Sequence, residues 1–129
     1  MRSVTFKGYK VSELTFVNKL ENGSRIEFEN KFSYNVKYSQ NNTCAGEITV
    51  EISSKEYKDK FAVKLVLLGI FSYNPETKKE ILHVETFKEL FPYARNVIST
   101  TSVNAGIPPI YIPYFDIESQ SIYKFGKNC

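Results

Sequence analysis

The sequence predicts an α+β fold: four antiparallel strands, then a long helix, a proline-rich loop and a short C-terminal helix. Three observations carry this. Apolar and polar residues alternate with period 2 from Ile26 to Tyr38 and again from Gly46 to Ser53, as in half-buried strands. From Leu65 to Phe71 both phases are apolar, which requires cover on both faces. Leu90, Tyr93, Ala94, Val97, Ile98 and Thr101 then recur at helical spacing. The 129 residues fit a single domain, 1–129, and ten Phe with nine Tyr can fill its core.

The first strand, Val4 to Phe16, changes phase along its length. Val4 and Phe6 share one phase, Tyr9 and Val11 the other, and Leu14 and Phe16 return to the first. A bulge or bend produces such a change. Asn22-Gly23 is a hairpin-turn signal, because both residues tolerate positive φ. In the second strand Ile26, Phe28, Phe32, Tyr34, Val36 and Tyr38 share the apolar face. Gln40-Asn41-Asn42 breaks that strand and permits a turn into the third, where Gly46, Ile48, Val50 and Ile52 alternate with polar residues. The fourth strand runs from about Lys60 to Tyr73. Its second cover is either the chain's own helices or another subunit.

Asn74 to Glu80 reads as a polar loop. Thr86-Phe87-Lys88-Glu89 has capping-box spacing, so a helix is expected to begin there, with a bend or fresh start at Pro92. Gly106 marks its end. Pro108, Pro109 and Pro113 then hold Ile107 to Phe115 extended, and Asp116 caps a final helix from about Ile117 to Phe125.

Composition excludes more than it assigns. The net charge is +3 with both signs interspersed, and no basic stripe interleaves with stacking aromatics, which argues against nucleic acid. No apolar run is long enough to span a membrane, and the N-terminal residues lack a signal-peptide pattern, so a cytoplasmic location is expected. Cys44 and Cys129 share no metal or redox spacing, and His83 is the one histidine. No phosphate-cradling glycine loop is present. Neither an enzyme nor a cofactor is expected.

What remains is apolar surface on extended backbone. The even face of the second strand carries four rings and the proline-stiffened loop three more. A loop lying across one end of the sheet would complete a channel for an unfolded polypeptide. Side chains would insert between rings, and backbone would pair with open edges. The candidate contacts are Phe32, Tyr34, Ile110, Tyr111, Ile112, Tyr114 and Phe115. The same rings could instead fill the monomer core, line a small-ligand cavity, or be buried between subunits.

One run is specific. Leu90-Phe91-Pro92-Tyr93-Ala94-Arg95, followed by Gly106-Ile107-Pro108-Pro109, resembles the signature of the SecB family of export chaperones. Tyr9 to Phe16 looks like that family's first strand, Gly69-Ile70-Phe71 like the end of its fourth, and Phe115-Asp116 like the start of its last helix. The resemblance implies an ATP-independent holdase that keeps preproteins unfolded, assembled as a homotetramer, a dimer of dimers. It also implies hand-over to the SecA translocation motor through acidic residues on the outer sheet face. Glu13 matches one such position, while Val17 and Lys64 stand where carboxylates are usual. Lysine in an electrostatic docking patch reverses the attraction, which argues against SecA and leaves client holding untouched. SecB-like chaperones dedicated to the antitoxin of a toxin–antitoxin system are the nearest alternative.

Overall fold

The computed structural model describes residues 3–21, 27–57, 59–110 and 112. Four strands, β1 (Val4–Asn18), β2 (Phe28–Ser39), β3 (Thr43–Ser54) and β4 (Phe61–Tyr73), precede one helix, α1 (Lys79–Asn104). The strands form one antiparallel sheet in the order β1-β4-β3-β2. The helix lies on one face of it and touches all four strands.

Each strand follows from its pattern. In β2 the even residues face α1 and the odd ones face outward, so Tyr34 and Val36 are buried while Ser33, Asn35 and Lys37 are exposed. Asn41 and Asn42 both adopt positive φ, 63° and 56°, turning β2 directly into β3. In β4 the odd residues Phe61, Val63, Leu65, Leu67 and Phe71 are almost inaccessible beneath the helix. Fully burying each such side chain contributes about 1.5–3 kcal/mol. The even residues lie on the far face, where Val66 and Leu68 are half-buried and Ile70 is exposed.

The phase changes in β1 are two register shifts, between Phe6 and Gly8 and between Val11 and Glu13. Each inserts one residue. The effect is that Phe6, Tyr9, Val11, Leu14 and Phe16 pair with Phe71, Gly69, Leu67, Leu65 and Val63, so these five apolar residues all reach the helix side, while Val17, opposite Ala62, faces outward. The Asn22-Gly23 turn lies outside the described residues. The β1–β2 hairpin it suggested does not form, since these strands occupy opposite edges of the sheet.

The helix corrects a second expectation. It begins at Lys79, not near Thr86, and continues through Pro92 to Asn104. Glu76 N–H bonds Asn74 Oδ1 at 3.0 Å and Thr77 N–H bonds the Asn74 carbonyl at 2.9 Å, so the turn closes early. Thr86 is interior and fully buried, its hydroxyl bonding back to the Leu82 carbonyl at 2.7 Å instead of capping. Burial of Leu82 and Val84 against the sheet draws the earlier turn into the helix. The C-terminal stop is as expected. Gly106 adopts φ 86°, and the N–H groups of Gly106 and Ile107 bond the carbonyls of Val103 and Ser102 at 3.0 and 3.2 Å.

Two glycines let the layers approach. Gly46 and Gly69 are cross-strand partners on the helix side. A Cβ on Gly69 would stand 2.7 Å from Leu90 Cδ1, and one on Gly46 would collide with the Tyr34 hydroxyl. The sheet is therefore hollowed where Leu90 and Tyr34 seat. The proline loop beyond Ile112 and the C-terminal helix expected from Ile117 lie outside the described residues.

Candidate functional site

The expected contact residues divide into three groups. Tyr34 is packed inside: its hydroxyl donates to Thr86 Oγ1, and its ring stands edge-on to His83 and Phe87 at 5.1 and 5.2 Å. Burial pushes its phenol far above the ordinary tyrosine value. Ile112 is likewise only 2% exposed. These two shape the layer beneath any surface groove. Phe32 and Ile110 are half-buried and pack against the core from its margin. Tyr111, Tyr114 and Phe115 lie outside the described residues.

The path of the loop is tied to α1. Arg95 Nε donates to the Ile112 carbonyl at 2.9 Å. The guanidinium ends the Leu-Phe-Pro-Tyr-Ala-Arg run, so one motif supplies both core contacts, through Leu90, Phe91 and Ala94, and an anchor for the start of the proline loop. Sequence reasoning valued this run as a signature and missed the anchor.

It also missed an apolar strip on β1. Tyr9, Val11 and Leu14 are 45%, 41% and 41% exposed on the helix side of an edge strand. Tyr9 and Phe6 lean on Tyr93 of α1, with ring centroids 4.8 and 5.2 Å apart. The phase changes in β1 were the legible signal, since only a strand with a valued apolar face needs two bulges to preserve it.

On the outer face Glu13 is exposed, and its carboxylate lies 3.7 Å from Lys64 Nζ. The acid expected to dock a partner thus faces a lysine of its own sheet. At the far edge the Lys79 ammonium sits 4.8 Å from the Tyr38 ring centre. Burial raises the Tyr38 phenol to about 12, with Cys44, Tyr73 and Glu80 adding to the effect. Burial alone raises the Cys44 thiol to about 11. His83 is 1% exposed and belongs to the Tyr34 cluster. Among the described residues no group of three His, Cys, Asp or Glu side chains could hold a metal, and no helix is long and apolar enough to cross a membrane.

Comparison with known proteins agrees with this geometry. The family model described as preprotein translocase subunit SecB matches residues 14–126. The protein-export protein SecB of Orientia tsutsugamushi (strain Boryong) is 29% identical over 124 residues, covering 88% of this chain and 78% of that protein. An uncharacterised protein of Methanocaldococcus jannaschii is 28% identical over 125 residues, covering 89% and 80% respectively. Among solved structures, the Mycobacterium tuberculosis Rv1957 SecB-like chaperone, in complex with a ChAD peptide from the Rv1956 HigA1 antitoxin, shares the fold. Its TM-score is 0.71 at 11% identity, over 88% of this chain and 91% of that one. A signature run built into the helix–sheet core, and a family match over nearly the whole sequence, place this chain in the SecB family.

Proposed function

We propose that this chain is an ATP-independent holdase chaperone for protein export, which binds unfolded or nascent polypeptides in the cytoplasm and delays their folding. The family match over residues 14–126 carries this reading. The apolar side chains at the margins of the helix–sheet layer support it. Phe32 and Ile110 would touch the client directly, together with Tyr111, Tyr114 and Phe115, while Tyr34 and Ile112 hold the floor beneath them. Micromolar binding needs about 8 kcal/mol, and one buried ring contributes roughly 1.5–3 kcal/mol before ordering costs. Several shallow anchors therefore suffice and demand little sequence specificity. No bond is made or broken in holding, so no catalytic group is needed.

The chain works as a homo-oligomer, a dimer of dimers, in this reading. The exposed strip Tyr9, Val11 and Leu14 on an edge strand favours self-association, and several copies would bind one long client with avidity. Glu13 remains the candidate docking residue for SecA. Its pairing with Lys64, and Val17 beside it on the outer face, weaken any purely acidic patch.

The test is direct. A slowly refolding client, mixed with excess chain, should regain structure several-fold more slowly, and substitution of Phe32 and Ile110 by serine should shorten the delay. Refolding at an unchanged rate refutes holding. A second reading, a chaperone dedicated to one partner such as an antitoxin, is favoured by the fold shared with Rv1957 and by the lysine on the outer face. Pull-down of one protein instead of many would select it.

A further inference from the structure

We propose that the outer face of the sheet, the one turned away from α1, pairs with the same face of a second copy about a two-fold axis running along β4. The client contacts sit at the margins of the helix–sheet layer, so the outer face is a separate surface with no part in holding. In β4 both phases are apolar, and α1 covers the odd one. Val66, Leu68 and Ile70 run down the outer side of this inner strand, and Ile70 is 47% exposed. Ala45 and Gly8 stand on either side of Ile70, so no bulky neighbour shields it. A second sheet stacked on such a stripe, with strands aligned to within about 30°, removes it from water.

The charges select the occupant. Glu47 of β3 and Lys10 of β1 are both register partners of Leu68, one on each side of it. A two-fold axis along β4 lays β3 of one copy over β1 of the other. Leu68 then meets Leu68, and Lys10 of each copy meets Glu47 of the second copy. The ion pair forms twice, as an isologous contact requires. One row along, Glu13 comes over Thr49 of the second copy, since both stand opposite Val66. The unfavourable contact is Lys64 over its own counterpart. Each Lys64 ammonium lies 3.7 Å from the Glu13 carboxylate and stands across from Glu51, which offsets that repulsion. With both signs interleaved, the face offers no single-signed field to a charged partner, whereas a rotated copy matches its central row sign for sign. Three overlapping strands of about twelve residues present roughly 550 Å² per copy at ordinary strand spacing and rise. The pair then buries about 1,100 Å², at the lower end of specific, reversible interfaces. It also covers Glu13, so pairing and any docking through that carboxylate exclude one another.

Sedimentation velocity on the full chain over a range of concentrations reads the association. All variants are compared in one Val11→Glu background, so that the helix-side strip of β1 does not mask the step. Lys10→Glu and Glu47→Lys each act twice across the axis, and each should weaken pairing roughly fivefold to tenfold at low salt. The double variant exchanges the two signs and should restore it, with far-UV circular dichroism unchanged throughout. Contact is mapped with single thiols in a Cys129→Ser background. Stacked sheets lie about 10 Å apart, beyond the reach of a direct disulfide, so a short bis-maleimide is the probe. It should join Leu68→Cys to a second copy and leave Ser33→Cys, on β2 beyond the overlap, as single chains. A double variant no tighter than the single reversals overturns the proposal, as does cross-linking at Ser33→Cys as readily as at Leu68→Cys. A chain that stays monomeric at every concentration also overturns it and leaves the outer face to a different protein. In each of these cases the client-refolding delay is still there to be measured, so holding stands or falls separately.

Discussion

Gly46→Ala probes how tightly Tyr34 is seated. A Cβ at this position collides with the Tyr34 hydroxyl and stands 3.0 and 3.1 Å from Cζ and Cε1 of the same ring. The ring has nowhere to go: its hydroxyl is bonded to Thr86, and His83 and Phe87 press on it from α1. Overpacking of this kind costs about 1–3 kcal/mol. Tyr34→Phe removes the colliding atom and one hydrogen bond. Thr86 keeps its own bond to the Leu82 carbonyl at 2.7 Å, so this loss costs about 1 kcal/mol. In the double variant the hydroxyl is gone, and the remaining contacts relax by a few tenths of an ångström. The pair should therefore cost less than the sum of the single variants by ~1 kcal/mol. Urea unfolding at one fixed protein concentration, with an unchanged slope, measures all four corners of the cycle. Additivity within about 0.3 kcal/mol, or a neutral Gly46→Ala, would refute the packing argument.

Arg95→Ala should release Ile112, raising amide exchange at Ile107, Ile110 and Ile112 and accelerating client release, while stability falls by about 1.5–3 kcal/mol, as for a hydrogen bond from a charged donor. Equal exchange in both proteins would mean the bond does not hold the loop. Leu90→Ala empties the hollow at Gly69 and should cost about 2–5 kcal/mol by urea unfolding; a loss under 1 kcal/mol would mean that the hollow collapses. The Cys44 thiol is raised to about 11 by burial, so in the range from its ordinary value near 9.0 up to 11 the unfolded chain ionises first. Stability contributed by the neutral thiol is complete below pH 9 and is lost as pH rises through 11, with Tyr38 adding loss towards 12. In a Cys129→Ser background, alkylation of Cys44 at pH 8 should follow unfolding; rapid labelling of the folded chain would contradict its burial. Pro92 is exposed within α1 and cannot donate to the carbonyl four residues back, so Pro92→Ala should raise stability by up to about 3 kcal/mol, and a lowered Tm would refute this.

The four strands and their apolar faces were legible in the sequence because a pleated strand sends alternate side chains to opposite sides, so period 2 records which face is buried. The bulges in β1 were legible for the same reason: a phase change in the pattern is a phase change in the backbone. Gly106 marked the helix end because its positive φ is a local requirement. The helix start was not legible. Thr86-x-x-Glu89 satisfies a local capping rule, yet Leu82 and Val84 gain more by burial against the sheet than a cap at Thr86 could return. Strand order was also hidden, because Asn22-Gly23 favours a local hairpin whereas β1 pairs with β4, more than forty residues away. The family signature was visible as letters. Only tertiary packing decided that Tyr34 lies inside on Thr86, that Arg95 reaches Ile112, and that β1 and β2 are the edges. Which apolar groups stay in contact with water depends on contacts between segments distant in sequence, and no local period encodes those.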